Sequence, residues 1–275
     1  MTNNPIIEVH QLSKVFKDFW ARPKATALDN IDLTIPSGQV FALLGPNGSG
    51  KTTFIKCLLG LLNPTGGNIK IFGDNIFRIM HKEKIGLLPE ASYFYNHLSG
   101  YETLNFYAKL LGLPKNIRKE RIETLMNLTD MKQYGHRQIG DYSLGMQRRI
   151  GIAQALLADP ELLILDEPTN GLDPIAVEKV HKLILKLKDQ GKTILICTHL
   201  LAESEDICDY AAILYKGKLL ASGELKNLYL QKQCSNIKDL FLQTVNSYTE
   251  TQIASKTQSE NKEKSSSYLD KISNN

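Results

Sequence analysis

A nine-residue segment rich in glycine constrains this chain more than any other feature. Its residues are, in chain order, Gly45, Pro46, Asn47, Gly48, Ser49, Gly50, Lys51, Thr52 and Thr53. A continuously apolar run, Val40–Leu44, precedes the segment, and a helix-forming run over residues 54–61 follows it. Glycines let the backbone curl so that successive N–H groups point at one anion, and the start of the following helix adds partial positive charge. The pattern therefore predicts a phosphate-binding loop between a buried strand and a helix.

Two side chains of this phosphate loop suit a nucleoside triphosphate. We expect Lys51 to reach the β- and γ-phosphates and the hydroxyl of Thr52 to bind Mg²⁺. A chance match to the pattern has a probability on the order of one per cent in a chain of this length. The strand before the loop and the helix after it lower that chance further.

A second apolar run, residues 162–165, ends in two adjacent acids, Asp166 and Glu167. Burying two neighbouring carboxylates is costly, so a buried strand does not end in them by preference. Beside a phosphate loop, Asp166 could hold Mg²⁺ through its water shell, and Glu167 could polarise an attacking water as general base. Two solvated acids at a strand end would show the same pattern, and both interpretations stay open at this point.

The periodicity of apolar residues changes twice along the chain. Short β-like runs dominate residues 6–72, helical periodicity dominates residues 98–158, and strands and helices alternate afterwards. This order predicts an α/β core interrupted by a helical insert. The lysine–glycine–lysine sequence at residues 216–218 separates two apolar runs and indicates a β-hairpin. From residue 246 onward the chain is polar, and we expect a mostly disordered tail.

Helix starts are marked by two local signals. Ser99 followed by Glu102 forms a capping box, and Asp173 followed by Pro174 is typical of an N-cap and the first helical residue. In the first of these helices we expect one apolar face, made of Leu104, Tyr107, Leu110 and Leu111.

Composition excludes several classes of protein. The chain has 275 residues and a formal net charge of +4, which is too small an excess for the basic surface of a nucleic-acid-binding protein. No stretch approaches the roughly 18 apolar residues of a membrane helix, and the first residues do not resemble a signal peptide. The four cysteines form no C-x-x-C pair, so we expect free thiols rather than a metal site or a disulfide framework.

Residues 142–149, here called the signature segment, identify a family. They resemble the Leu-Ser-Gly-Gly-Gln signature of the nucleotide-binding subunits of ATP-binding-cassette (ABC) transporters, with Ser143 and Gly145 at the matching positions. The resemblance extends over about residues 6–225. It implies that the site binds ATP and Mg²⁺, and that Ser143 and Gly145 contact the γ-phosphate of a nucleotide held by the opposite subunit. An ordinary N-cap serine would also explain Ser143.

The resemblance assigns roles to three further positions. Gly171–Asp173 matches the D-loop, which passes between two active sites, although a simple helix cap would look the same. His199 matches the switch histidine that hydrogen-bonds the γ-phosphate, and a structural histidine is the alternative. Phe16 matches the aromatic residue that stacks on adenine, and core packing is its alternative.

One position departs from the family pattern. Leu87–Glu90 resembles the Q-loop, but Glu90 stands where the family most often has glutamine. A glutamate can still coordinate Mg²⁺ and orient water, while it adds negative charge near the phosphates. A solvated loop acid is the alternative.

The resemblance implies a P-loop NTPase core of the α/β class, with a mixed parallel sheet, an N-terminal antiparallel β subdomain and an inserted α-helical subdomain. We expect a cassette over residues 1–230, divided into a core (1–90 and 159–230) and a helical subdomain (91–158), and a polar, partly disordered extension over residues 231–275. The implied function is ATP hydrolysis that powers a transporter of the exporter type. A separate membrane permease and a second ATP-binding subunit are the implied partners, at the cytoplasmic face of the membrane, with no nucleic acid.

Two other function classes compete with this interpretation. A non-transport ABC ATPase acting on nucleic acid or ribosomes would typically carry two cassettes, coiled coils or basic insertions. A P-loop kinase or GTPase would need neither the signature segment nor His199. The ordered set of motifs and the weak net charge favour the transporter subunit.

Two aromatic segments lie outside these motifs. Residues 93–95 are three consecutive aromatics, so at least one should be exposed, and in the family this region contacts the membrane subunit. We therefore expect a docking surface there. The segment 17–24 holds the single tryptophan, Trp20, among basic residues, and either a membrane-proximal contact or a plain surface loop accounts for it.

Overall fold

Two β-sheets organise the part of the chain that the structure describes. The computed structural model describes residues 4–20, 22–76, 82–91 and 93–253. Its strands are, in chain order, β1 (Pro5–Lys17), β2 (Pro23–Pro36), β3 (Val40–Leu44), β4 (Gly66–Ile71), β5 (Asp74–Asn75), β6 (Ile85–Leu88), β7 (Leu162–Asp166), β8 (Thr193–Thr198), β9 (Tyr210–Tyr215) and β10 (Lys218–Glu224). Among the helices of these ranges, none combines the length and the apolar character needed to cross a membrane.

The larger sheet has six strands in the order β10-β9-β3-β8-β7-β6. Strands β9, β3, β8, β7 and β6 run parallel, and β10 pairs antiparallel with β9 as the expected hairpin. Strands β3, β7 and β8 are buried along their whole length, which explains their continuous apolar sequences. Because these three strands are neighbours and parallel, the segments that follow them meet at one edge of the sheet.

The smaller sheet is antiparallel, in the order β2-β1-β4-β5. Strands β1 and β2 form a long hairpin with several register shifts, and apolar residues of β1 and β2 alternate with exposed ones. The buried side chains of this sheet and of α1 (Lys51–Leu58) pack together against one face of the larger sheet. The phosphate loop thus lies between two sheets that share one core.

Three helices lie between β6 and β7, in the region of the expected helical insert. They are α2 (Gly100–Leu110), α3 (Lys115–Leu128) and α4 (Leu144–Ala155). The capping box of α2 is confirmed, because Ser99 and Glu102 bond reciprocally. The apolar face expected for α2 is partly wrong: Leu104 is buried, but Leu110 is 69% exposed. The helix ends at Leu110, so that residue and Leu111 extend past the last turn that packs on the core.

The remaining helices are α5 (Pro174–Asp189), α6 (Leu201–Ser204), α7 (Leu225–Lys232) and α8 (residues 237–253). Asp173 caps α5 with Pro174 at the first helical position, as the sequence predicts. The disordered tail expected from residue 246 is wrong over residues 246–253, which belong to α8. Apolar residues at helical spacing anchor α8 to the core, and Ile237 and Leu240 are fully buried. Residues 254–275 lie outside the described ranges.

Candidate functional site

The phosphate loop begins at the end of β3 and leads directly into α1. Gly48 and Gly50 have φ angles of +78° and +113°, a backbone conformation that favours glycine. A Cβ atom at Gly50 would lie 2.5 Å from the carbonyl oxygen of Ala27, and one at Gly45 would collide with the carbonyl oxygen of Leu214. The glycines are therefore required by the curvature of the loop and by the close approach of neighbouring backbone.

The loop borders a cleft of about 290 Å³. Its lining consists of Ala27, the loop residues 46–53, Glu90 and Glu167. Lys51 is buried within this lining, and its Nζ donates a hydrogen bond to the carbonyl oxygen of Gly45 at 2.7 Å. The same Nζ lies 3.4 Å from Oε1 of Glu167. The cleft thus contains a buried cation whose present partners are a backbone carbonyl and a carboxylate.

Glu167 is held by the neighbouring strand. Its Oε2 accepts a hydrogen bond from the hydroxyl of Thr198 at 3.0 Å, and Nδ1 of His199 lies 2.9 Å from its Oε1. The residue has a φ of +50°, a strained conformation for a residue with a side chain, and its N–H donates to the carbonyl oxygen of Cys197. The structure therefore places Lys51 and His199 beside the carboxylate of Glu167.

Asp166 ends β7 beside Thr52. Its Oδ1 is buried and has no hydrogen-bond partner. Burial, followed by the negative charges of Glu167 and Glu90, raises the pKa of Asp166 to about 6, although Lys51 and the hydroxyl of Thr52 act in the opposite direction. A carboxylate oxygen without a partner beside a threonine hydroxyl is an oxygen donor set that fits Mg²⁺. Thr52 and Asp166 are thus the residues that could hold the metal.

Glu90 follows β6 and lines the same cleft. Behind it lies Arg148, a residue that sequence reasoning did not single out. The Arg148 side chain is buried, and its Nη1 donates to the carbonyl oxygen of Pro89 at 3.1 Å. Burial lowers the pKa of Arg148, while the charges of nearby carboxylates, Glu90 first among them, favour its charged form. The signal that could have identified Arg148 is its place in the signature segment, one helical turn after Ser143 and Gly145.

The signature segment lies outside this cleft. Ser143 is the N-cap of α4, and its Oγ accepts a hydrogen bond from the N–H of Met146 at 3.3 Å. A Cβ atom at Gly145 would lie 2.9 Å from Cβ of Ala176, so this glycine permits close packing between α4 and α5. Gly171 has a φ of +76° and faces the side chain of Leu144. The signature segment and the predicted D-loop therefore contact one another, apart from the phosphate loop.

Phe16 lies on β1 opposite Ala25 and is 40% exposed. Its ring is not part of the cleft lining; Lys14 Nζ lies 5.5 Å from the ring centroid. At the end of the same hairpin, Phe19 and Trp20 are both exposed and their rings are 5.5 Å apart. Stacking of Phe16 on adenine stays a prediction.

The aromatic segment after Glu90 is only partly buried. Tyr93 and Tyr95 are exposed, whereas Phe94 packs against the helical part of the core. The expectation that at least one of the three is exposed is confirmed. A docking surface at this position stays a prediction.

Comparison with known proteins identifies the family. The family described as ABC transporter matches residues 28–170. The chain is 42% identical to an ABC transporter ATP-binding protein of Synechocystis, over 80% of this chain and 63% of that protein. It is 38% identical to the lantibiotic transport ATP-binding protein SrtF of Streptococcus pyogenes, over 79% of this chain and 90% of that protein.

Solved structures agree with this assignment. A structure described as the ATP-binding subunit of an ABC transporter superimposes with a TM-score of 0.75 at 29% identity, over 87% of this chain and 99% of that one. The expected α/β cassette fold is thereby confirmed. The match covers a little under two thirds of the Synechocystis relative's own length. On these grounds the chain is a member of the ABC transporter family, similar throughout its core to the family's ATP-binding proteins.

Proposed function

We propose that this chain is the ATP-binding and ATP-hydrolysing subunit of a membrane transporter of the exporter type. The observation that carries the proposal is the arrangement of Lys51, Glu167 and His199 beside the phosphate loop. The loop offers backbone N–H groups and a helix start to phosphates, and the three side chains supply a cation, a base and a polar donor.

Binding of the triphosphate begins with an exchange of partners by Lys51. Its ammonium group now bonds to the carbonyl oxygen of Gly45 and lies near Glu167. A phosphate is a stronger partner for an ammonium group than a backbone carbonyl, so Lys51 turns toward the β- and γ-phosphates. Glu167 then loses a cation and keeps its contacts with Thr198 and His199. These contacts aim its carboxylate at the water that attacks the γ-phosphate.

Charge that develops during hydrolysis is stabilised by the same groups. The ammonium group of Lys51 offers positive charge to the phosphate oxygens, and His199 offers a hydrogen-bond donor. Thr52 and Asp166 would hold Mg²⁺. When bound, Mg²⁺ would neutralise phosphate charge. Glu167 accepts the proton of the attacking water, which is the task of a general base.

A second copy or a paralogous subunit completes the site. Ser143 and Gly145 lie outside the cleft that Lys51 and Glu167 line, on the segment packed against the D-loop. The family resemblance implies that two subunits enclose two ATP molecules, each bound by the phosphate loop of one subunit and the signature segment of the other. ATP then favours the closed dimer because it contacts both subunits only in that state.

The transported cargo would pass through a separate permease. The relatives include proteins named for bacitracin transport and lantibiotic transport, which supports export of a peptide or a similarly amphipathic compound. Tyr93 and Tyr95 are exposed beside Glu90 and offer a docking surface for the permease. The chain would then work at the cytoplasmic face of the membrane, held there by its partner.

Affinity purification from native membranes tests the transporter assignment. We expect a membrane permease to co-purify with the wild-type chain, and the double substitution Tyr93→Ser and Tyr95→Ser to reduce it while ATP binding persists. Leu230→Ser, which removes an exposed apolar side chain of α7, is the control. Co-purification of ribosomes or nucleic acid instead of a permease would favour the non-transport ABC ATPase.

ATP binding is tested separately with Lys51→Ala. The variant should lose measurable ATP affinity because the buried cation of the cleft is gone. Lys56→Ala, an exposed lysine on the same helix α1, is the control and should bind ATP as the wild type does. Equal ATP affinity in Lys51→Ala and wild type would contradict the assignment of the phosphate loop.

A further inference from the structure

The C-terminal helix α8 packs behind the strand that leads into the phosphate loop. Its inward residues recur at helical spacing and pack with residues of β3 and β9. These inward residues are Ile237, Leu240, Phe241, Thr244 and Val245. Apart from Thr244, these residues belong to one apolar cluster that also contains Leu44, the residue immediately before Gly45, and Ile213 of β9. Helix α8 therefore supports the strand end from which the phosphate loop departs.

A second contact joins the phosphate loop to the turn between β9 and β10. Gly217, in this turn, donates its N–H to the carbonyl oxygen of Ser49 at 2.9 Å and accepts from the N–H of Asp29 at 2.8 Å. The turn has no room for a side chain at this position, because a Cβ atom on Gly217 would lie 2.9 Å from the carbonyl oxygen of Ala27. Lys218 pairs with Asp29 at 3.2 Å and closes the turn on its other side.

Helix α8 reaches this turn through one aromatic contact. The ring of Tyr248 meets the ring of Tyr215 edge-on, with centroids 6.2 Å apart and planes at 78°. Tyr215 is the last residue of β9 and lies two residues before Gly217. Lys216 Nζ lies 5.3 Å from the centroid of the Tyr215 ring. Tyr215 is thus held between α8 and the turn that bonds to the phosphate loop.

We propose that α8 positions the phosphate loop through the contacts Tyr248 to Tyr215 and Gly217 to Ser49, so that nucleotide affinity depends on the C-terminal helix. Tyr248 is a positioning residue that does not touch the nucleotide. The inference rests on the proposed function, since it assumes that the phosphate loop binds ATP.

The physical basis is preorganisation of the loop. Ser49 lies in the phosphate loop, where its N–H donates to the carbonyl oxygen of Pro46 at 3.1 Å and its carbonyl oxygen accepts from Gly217. The bond from Gly217 fixes the peptide group that carries the N–H of Gly50. A peptide group held by its carbonyl oxygen leaves its neighbours fewer orientations, so less conformational freedom is lost when phosphate binds. Loosening the turn therefore lowers affinity without removing a ligand contact.

The test compares two substitutions at Tyr248 in the full chain. Tyr248→Ala removes the edge-on contact and should weaken the binding of ADP, used as a non-hydrolysed probe, about fivefold. Tyr248→Phe keeps the ring and should bind within about twofold of wild type. Leu242→Ala, on the exposed side of the same helix, is the matched control and should leave affinity unchanged.

Two further readouts separate positioning from a general loss of structure. The rate at saturating ATP should stay within about twofold in Tyr248→Ala, because Glu167 and His199 are held by β7 and β8. Hydrogen exchange at the N–H of Gly217 should accelerate, because that group bonds to Ser49. If Tyr248→Ala unfolds, Tyr248→Leu, which keeps apolar volume without a ring, takes its place.

The outcomes are distinct. Wild-type ADP affinity in folded Tyr248→Ala, or unchanged exchange at Gly217, would overturn the inference while the proposed function stands. Loss of affinity in Leu242→Ala equal to that in Tyr248→Ala would also overturn it, because helix stability alone would then be the cause. Failure of the wild-type chain to bind ADP would contradict the proposed function itself.

Discussion

The phosphate-loop region and the signature segment belong to one predicted site, yet they are built differently. Around the phosphate loop, the ends of three parallel strands bring together a buried lysine and the buried acids Asp166 and Glu167, and Lys51 and Glu167 line one cleft. The start of the signature segment, Ser143–Gly145, holds no charged side chain; the buried Arg148 and Arg149 lie further along α4. The hydroxyl of Ser143 accepts a hydrogen bond from the first turn of its own helix, α4. The lack of a side chain at Gly145 lets α4 pack closely on α5.

This difference shows how the chemistry is divided. Buried charges need partners within the same chain, so the groups proposed for catalysis are gathered where adjacent strands end. A helix start needs no partner until an anion arrives, so Ser143 at the start of α4 can stay solvated in a single subunit. Substitutions in the two regions should therefore fail in different ways.

The largest effect is expected for Glu167→Gln. Removing the general base should lower the rate of ATP hydrolysis about 10³-fold while ATP binding persists. The neutral amide also removes repulsion between Glu167 and the γ-phosphate, so the ATP-bound dimer should accumulate. Steady-state hydrolysis and size-exclusion chromatography with ATP measure the two effects. Hydrolysis at the wild-type rate in this variant would falsify the assignment of Glu167.

The next effect concerns the stability of the phosphate-loop region without nucleotide or metal. The pKa of Asp166 is raised from 3.8 to about 6, mainly by burial. The folded protein therefore holds this proton more tightly than the unfolded chain, and the free energy of unfolding should fall as pH rises from about 4 to 6. Asp166→Asn should remove this fall and stabilise the protein at pH 7 by about 2 kcal/mol.

Urea unfolding in EDTA at several pH values measures this effect, and Asp159→Asn supplies a control of opposite sign. Hydrogen bonding to Lys192 lowers the pKa of Asp159, so its charged form stabilises the folded state above pH 4. Asp159→Asn should therefore destabilise the protein at pH 7. Equal signs for the two substitutions would contradict the assignment of Asp166 as an acid whose pKa is raised by burial.

A smaller effect, in the signature segment, should appear only when two subunits meet. Ser143→Ala should lower hydrolysis about tenfold and leave ATP binding by the single subunit unchanged, because Ser143 lies outside the cleft. The change also removes a helix cap, which costs about 1 kcal/mol. Ser99→Ala removes the cap of α2 and is the matched control. A loss of ATP binding in Ser143→Ala at low protein concentration would show that the two regions are not separate.

Local patterns predicted the parts of the fold that depend on neighbouring residues. The strand, the loop and the helix after it, and the caps at Ser99 and Asp173, are set by glycine conformation, hydrogen bonding and periodicity, and each is present. The helix after the loop spans Lys51–Leu58, three residues earlier than the run 54–61 predicted from sequence. Helix α8 was missed because the apolar residues of its first turns are interspersed with polar ones. The apolar face of α8 is buried only because β3 and β9 lie against it, and the local sequence does not show that contact.

Contacts between distant segments set the rest of the candidate site. Arg148 looks like a surface residue of an ordinary helix, and its burial is explained by the carbonyl oxygen of Pro89, 59 residues away in sequence, and by the charge of nearby carboxylates such as Glu90. The left-handed backbone conformation at Glu167 has no signal in the local sequence, because a glutamate at the end of an ordinary strand would be flanked by the same residue types. The sequence predicts a metal-holding role for Asp166 and a general-base role for Glu167, and tertiary contacts decide where the two carboxylates lie.

The smallest effect is expected where the two regions meet. Glu90 lines the cleft and lies beside Pro89, whose carbonyl oxygen bonds to Arg148 of α4. Its charge contributes to the raised pKa of Asp166, so the pKa of Asp166 should fall in Glu90→Gln. Removing one negative charge beside the phosphates should also increase ATP affinity in EDTA about threefold.

Equilibrium ATP binding with EDTA and with Mg²⁺ separates two roles of Glu90. If Glu90 acts only through its charge, Glu90→Gln should bind ATP more tightly in both conditions. If Glu90 also ligates the metal, the gain in EDTA should be reversed when Mg²⁺ is present, because the glutamine offers Mg²⁺ a weaker oxygen donor. Weaker binding in EDTA would contradict both roles, because it would mean that Glu90 supports the loop structurally. In that case Glu90 would hold the cleft in shape, beside the bond that joins Pro89 to Arg148 of α4.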